Sequence, residues 1–191
     1  MNEFLAYVSQ FGPLTQPQQD AITRQATRVT LRKGEYFIAP GTGAQRRVGF
    51  VETGVLRIFS ATEEGEDTTH YFVEEKHPLL DVPDPAGGEG ISCCAMQAVT
   101  DCQLVVFSAE QWQTFAHLIP GWAGITHQIS VQALREKMVR IVPMLGQDTA
   151  ARYRTLLRQY PQLANRVPMG YLASYLGMTP SSLSRVRKQI R

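Results

Sequence analysis

The residues of this chain best suited to chemistry lie in "GMTPSSLSRVRKQIR", positions 177–191. Arg185, Arg187, Lys188 and Arg191 stand there beside Thr179, Ser181, Ser182 and Ser184, and no acid occurs among them. Cations and short hydroxyls donate hydrogen bonds to phosphate oxygens, and an arginine can also bond the edge of guanine through two parallel bonds. At about 100° per helical residue, Leu183, Val186 and Ile190 share one side, and Ser181, Ser184, Arg185 and Lys188 share the other. Short side chains near the start of such a helix let it approach a major groove closely. Arg187, Lys188 and Arg191 flank that approach with charge suited to phosphates.

The elements that must hold this face lie just upstream. "MGYLASYLG" reads as a helix with Leu172 and Leu176 on one side, the small Ala173 between them, and Gly177 able to end it in the left-handed conformation. Thr179 is a good N-cap, and Pro180 suits the first helical position, where no N–H is needed. Helix, tight turn and helix with an arginine-bearing outer face form an arrangement that reads double-stranded DNA. The candidate DNA-binding residues are therefore Thr179, Ser181, Ser182, Ser184, Arg185, Arg187 and Lys188.

Charge distribution points the same way. Residues 1–134 carry 8 Lys or Arg against 15 Asp or Glu, a balance of −7; residues 135–191 carry 11 against 2, a balance of +9. The net charge of +2 hides this split. A basic segment on an acidic body directs a polyanion to that segment alone, although charge by itself fits a solvated basic surface equally well.

Residues 28–110 read as β-structure. "RVTLRKGEYFIAPGTG", "RVGFVETGVLRIFSATEEGEDTTHYFV" and "QAVTDCQLVVFS" are short apolar segments rich in Val, Ile, Phe and Thr, punctuated by Gly34, Gly41, Gly43, Gly54 and Gly65. They predict a small antiparallel barrel or roll after a short N-terminal helix. "HPLLDVPDPAGGEG" holds three prolines and three glycines in 14 residues and reads as an irregular loop. Near Ser108, an N-cap, the pattern turns helical. From Gly121 to Leu145, Val131, Leu134, Met138, Ile141 and Leu145 repeat at spacings of 3 and 4, giving one apolar seam. That seam is expected to be a homodimer interface, the alternative being that it packs on the protein's own barrel. Pro143 should kink or end the helix, and "TAARYRTLLRQYPQL" predicts another, ended by Pro161.

Several function classes are excluded or disfavoured. No apolar run approaches the roughly 20 residues needed to cross a bilayer, and the N-terminus lacks the features of a secretion signal. A cytoplasmic protein with no membrane association is expected. Three cysteines, two of them adjacent (Cys93 and Cys94), make a poor disulfide framework. His70, His77, His117 and His127 show no metal-ligand spacing, so neither metal nor cofactor is expected. A cupin-type enzyme would need a His and Glu cluster on barrel strands, and this region offers only His70 and His77. The protein is expected not to be an enzyme. A small-molecule-binding roll with a vestigial DNA domain remains the alternative.

On the residues quoted, the chain resembles the Crp/Fnr family of bacterial transcription regulators. "YLASYLGMTPSSLSRVRKQI" is similar to that family's helix-turn-helix, and "LRKGEYFIAPG", "VGFVETGVLRIF" and "TTHYFV" to its cyclic-nucleotide-binding-like roll. "RYRTLLRQYPQLANRVPMGYLASYLGMTP" is especially like a short, Bacteroidetes-type subgroup that stops just after the recognition helix. The resemblance implies an α+β fold: an N-terminal double-stranded β-roll over residues 1–118, a dimerisation helix over 119–145 and a helix-turn-helix domain over 146–191. It also implies a homodimer on DNA, with RNA polymerase as a further partner. Arg185 matches the family's base-reading arginine, and Ser182 and Ser184 match positions that meet bases or phosphates. Ser181 stands where the family commonly has Glu, and Pro180 where some members have another base-contacting Arg, so a different operator is expected.

Family members that bind cyclic nucleotides carry a Gly-Glu pair and then an arginine in the phosphate loop. Here "DPAGGEGISCCAMQAV" retains Gly88-Glu89 but has Ser92 and its neighbours in the arginine region, and residues 77–134 contain no Lys or Arg at all. A buried phosphate without a cation would be costly, and Asp81, Asp84 and Glu89 would repel it. No response to cyclic nucleotides is expected, and the effector is left unidentified. Iron–sulfur members use four cysteines; this chain has three.

Overall fold

A computed structural model describes residues 1–61, 67–81 and 92–190. Two short helices open the chain, α1 (Asn2–Ser9) and α2 (Gln16–Gln25). Thr15 starts the second through a reciprocal cap with Gln18, whose Oε1 accepts from the Thr15 N–H at 2.8 Å. Eight strands follow: β1 (Thr27–Leu31), β2 (Tyr36–Ile38), β3 (Val48–Thr53), β4 (Leu56–Ala61), β5 (Asp67–Val73), β6 (Pro78–Leu80), β7 (Ala95–Ala98) and β8 (Cys102–Phe107). They form two antiparallel sheets, in the orders β1-β8-β3-β6 and β2-β7-β4-β5. Leu56, Ile58, Val73, Met96 and Leu104 point between the sheets and make the roll's core.

The irregular loop expected from residue 77 begins instead with an edge strand, since β6 pairs with β3 in the register Val48↔Leu80 to Phe50↔Pro78. An edge strand tolerates the missing N–H of Pro78, which is why proline did not exclude pairing here. The rest of that loop, including Asp84, Gly88 and Glu89, lies outside the described residues, as does Gly65. At the turn between β3 and β4, Gly54 has φ +102°, and a Cβ there would sit 2.5 Å from the Asp101 carbonyl oxygen and the Cys102 sulfur. Only glycine fits.

Helices cover both outer faces. On the first sheet, Phe4, Tyr7, Phe50, Phe107, Phe115 and Trp122 join α1 to α3 (Ala109–Leu118) and to the start of α4 (Trp122–Ile141). Ser108 caps α3 as the sequence anticipates, and Gln111 makes the cap reciprocal. α4 ends at Ile141 in a 3₁₀ turn, Val142–Met144, that contains Pro143. On the second sheet, Val55, Phe72 and Val99 form one core with α5 (Thr149–Gln159), α6 (Pro161–Arg166), α7 (Met169–Leu176) and α8 (Pro180–Ile190). The short α6 is an addition to the sequence reading: Pro161 both stops α5 and opens the next helix at N1.

The apolar seam of α4 does not pack on the roll. Val131, Leu134, Met138 and Leu145 are 46–74% exposed, and only Ile141 is half-buried. Val139 and Val142 beside them are exposed as well.

The helical domain is tied to the roll through Glu75. Its Oε1 accepts from the Gly54 N–H at 2.8 Å and from Arg166 Nη2 at 2.5 Å, while Oε2 accepts from Arg166 Nη1 at 2.9 Å. These bonds, Arg166 foremost, hold the Glu75 carboxyl at about 2, below its ordinary 4.5. The carboxylate's contribution is therefore complete above about pH 4.5 and fades as pH falls through 2. Both side chains are about a third exposed, which screens the pair. Glu75→Gln should destabilise the fold by on the order of 1 kcal/mol at neutral pH. In urea melts, the gap from wild type should shrink as pH is lowered below 4.5.

Candidate nucleic-acid interface

The outer face of α8 is built by the turn that precedes it. Gly177 ends α7 with φ +68° and ψ +40°, its N–H bonding the Ser174 carbonyl, and Met178 N–H closes onto the Ala173 carbonyl at 3.0 Å. Arg152 on α5 braces the same corner, donating through Nη1 to the Leu176 carbonyl at 3.2 Å and through Nε to that of Gln147 at 3.0 Å. Thr179 Oγ1 then accepts from the Ser182 N–H at 3.2 Å, and Pro180 takes the first helical position. Leu183 and Val186 anchor α8 beneath Leu172, Ala173 and Leu176.

The sequence-predicted residues divide by exposure and by partner. Ser181, Arg185 and Lys188 are exposed on one face; Ser184 and Arg187 are half-buried beside them. Thr179 and Ser182 are committed to the cap: Thr179 Oγ1 lies 2.9 Å from Ser181 Oγ and donates to Ser182 Oγ at 3.0 Å, and Arg185 Nη2 reaches Ser182 Oγ at 3.4 Å. Met169, at the start of α7, lines a shallow cleft with Ser184, Arg187 and Lys188 and adds an exposed apolar contact that sequence pattern did not single out. Asp148 is the single acid between 146 and 190, and it is spent on capping α5, accepting from the Ala151 N–H at 2.8 Å. Arg154 and Arg158 on α5 are exposed. The face can therefore donate to an anionic backbone with no carboxylate competing from its own domain.

The opposite side of the helix-turn-helix is docked on the roll, through residues that sequence reasoning missed. Arg57, only 2% exposed, lies between the rings of Phe59 and Tyr171, 3.9 Å from each centroid. Asp67 and Gln97 complete its setting, accepting from Nη2 at 2.5 Å and Nε at 2.8 Å. Ser174 on α7 accepts from the Thr69 N–H and donates to the Asp67 carbonyl, both at 2.9 Å. Phe72 meets Tyr175 edge-on at 5.4 Å, and burial pushes the Tyr175 phenol up. A lone arginine in a strand and a serine in a helix gave no sequence signal of this contact.

Among the described residues, no group of three or more His, Cys, Asp and Glu could hold a metal ion, and no helix is long and apolar enough to cross a membrane. Cys93 is exposed, Cys94 half-buried and Cys102 buried.

Two outer layers of helix around a β-roll, the second ending in a helix-turn-helix, make up the fold of Crp/Fnr transcription regulators. FixK2 from Bradyrhizobium japonicum matches with a TM-score of 0.72 at 19% identity, over 86% of this chain and 84% of that one. CLP of Xanthomonas campestris, a c-di-GMP-responsive global regulator, matches with 0.72 at 16% identity, over 92% and 91%. A Eubacterium rectale chain assigned to the Crp/Fnr family matches with 0.70 at 16% identity, over 96% and 87%. At such identities the likeness establishes the fold. No family model matches the sequence, and no curated protein does.

The cap is testable apart from function. Thr179→Ala leaves the Ser182 N–H without its side-chain acceptor and should cost about 1 kcal/mol, whereas Thr179→Ser should stay near wild type. Chemical denaturation of the three proteins measures the difference.

Proposed function

We propose that the protein is a sequence-specific DNA-binding transcription regulator acting as a homodimer, and not an enzyme. The observation that carries this reading is the exposed face Ser181–Arg185–Lys188 on α8, backed by a domain whose single described acid is already bonded to a helix N-terminus. Arg185 is the base-reading residue, Lys188 and Arg187 meet phosphates, and Ser181 and Ser184 allow close approach. Thr179 and Ser182 set the angle at which the helix enters the groove. In this reading the roll and its flanking helices span 1–118, the connecting helix 119–145 and the DNA-binding domain 146–191. Val131, Leu134, Met138, Ile141 and Leu145 pair across the two-fold axis, which places the recognition helices about 34 Å apart on successive major grooves. The exposure of four of these five supports that pairing.

Cyclic nucleotides are not the signal in this reading. Residues 77–134 supply no cation. Buried Asp81 already fills a ring of donors, accepting from the N–H groups of Gln45 and Arg46 at 2.7 and 2.9 Å and from Ser92 Oγ at 2.6 Å.

Selection of genomic duplex fragments by the purified protein tests the reading. Enriched fragments should share a two-fold-related site, and affinity should fall steeply with salt. Weak, sequence-blind binding would overturn it. Arg185→Ala should cost about 1–3 kcal/mol at one base pair and relax preference there, measured by competition among operator variants. Leu134→Glu should leave the fold intact, shift the protein to monomer in sedimentation, and abolish tight operator binding.

A further inference from the structure

The exposed stripe of α4 carries one side chain that is foreign to an apolar interface. Measured from His127 at about 100° per residue, Val131, Leu134, Met138 and Ile141 all fall within about 40°, so the imidazole lies on the midline of the seam. Its spacing to Val131 and Leu134 extends the alternation of 4 and 3 by one step. His127 is exposed, as are Ala123 and Gly124 one turn before it. A Cβ at Gly124 would meet nothing within 4 Å. Ile125 and Ile129, buried in the aromatic core outside the first sheet, lie about 160° round the helix from it.

Nothing within the protomer satisfies this ring. Among the described residues, His127 makes no hydrogen bond and no ion pair. The neighbouring hydroxyls turn back on their own helix: Thr126 Oγ1 donates to the Ala123 carbonyl and Ser130 Oγ to that of Thr126, each at 3.0 Å. The single acid of α4, Glu136, stands about 180° round the helix, and the nearest cation, Arg135, is two turns along and about 80° round. Glu3 and Tyr7 of α1 and Glu110 and His117 of α3 are the ionisable groups of the helices packed on this half of α4, and those helices meet it on the Ile125 side. A neutral imidazole, with one donor and one acceptor, is left open to a partner.

We propose that His127 faces its own copy across the two-fold axis and makes self-association of the chain depend on pH. The inference rests on the pairing of α4 proposed above and adds its regulation. In a parallel seam the same position of each helix meets in one layer. Two neutral rings there can share an N–H···N bond, one donating and the other accepting, and Gly124 leaves room beside them. Protonated rings carry donors only and a charge each, so the pair turns from bonded to repelled. Val131 on each helix keeps the layer apolar, and Arg135 of each chain adds only further positive charge. An imidazole takes up its proton between about pH 8 and 5. Two separate chains accept two protons over that range more readily than the facing pair does, so the dimer binds fewer. Association is therefore complete at the alkaline end and is lost as pH falls. Acidification would release an operator that needs both recognition helices, with no ligand involved.

Sedimentation equilibrium of the full chain, without DNA, tests this across the range of imidazole titration. The dissociation constant of the wild-type dimer should rise at least about tenfold between about pH 7.5 and 5.5. His127→Gln keeps a polar side chain that does not titrate and should lose that rise. His127→Leu should form a tighter dimer, equally indifferent to pH. Any effect of acid on the fold is common to all three proteins, so the difference between them isolates the ring. A rise of the same size in His127→Gln, or tighter wild-type association in acid, overturns the proposal. A wild-type dimer whose constant is flat with pH overturns it and leaves the pairing of α4 standing. A monomer at pH 8 and about 100 μM overturns both.

Discussion

The architecture depends on β5 being buried on both faces. Tyr71 and Val73 point into the roll, while Phe72 points out beneath Tyr175 of α7. Fully burying one such aromatic ring stabilises by about 1.5–3 kcal/mol, and its edge-on partner adds about 1 kcal/mol more. An outward Phe72 left in water would be an exposed apolar patch on the strand. Covering it requires α7, and α7 brings the whole helix-turn-helix with it. The exposed face of α8 is thus aimed by hydrophobic burial on the far side of its own domain.

Electrostatics then decides which charges stay available. Among the described residues, several acids of the roll are consumed by the fold. Asp67 holds Arg57, Glu75 holds Arg166 and the Gly54 turn, and Asp101 accepts from the Lys33 N–H at 2.8 Å. Glu52 pairs with the N-terminal amine. On the helical domain the opposite holds: Arg152 and Arg166 are used as braces, whereas Arg154, Arg158, Arg185 and Lys188 remain exposed. Among the described residues, acids that are paired on the roll and cations left exposed on the helical domain are what the charge split becomes in three dimensions.

Local chemistry explains what the sequence made legible. Gly177, Thr179 and Pro180 act within their own four-residue neighbourhood, so the turn and the cap were readable to the residue, as was the Ser108 cap. The roll was readable because strand periodicity and glycine turns are also local. What escaped were contacts between residues far apart in the chain: Arg57 with Tyr171, Glu75 with Arg166, Ser174 with Thr69. None has a pattern in sequence, because each depends on the docking of one domain against the other. β6 escaped for a different reason, since a proline that forbids a central strand is harmless at an edge.

α4 shows why a helix of modest amphipathicity can be informative. Its apolar seam at 131, 134, 138 and 141 lies about a third of a turn from the face that carries Ala133, Glu136, Lys137 and Arg140. Most of the first face is bare; the second meets the roll, where Lys137 and Arg140 lie against β5. A helix with one buried face would expose only polar residues opposite, and here an apolar seam is exposed as well. The same helix thus meets the roll on one face and bears the exposed seam on another. Arg140 on this helix is bonded to β5 and stacked on Tyr160. Through its bond to the Phe72 carbonyl, Arg140 thereby joins α4 to the strand whose Phe72 ring meets Tyr175 of α7 edge-on.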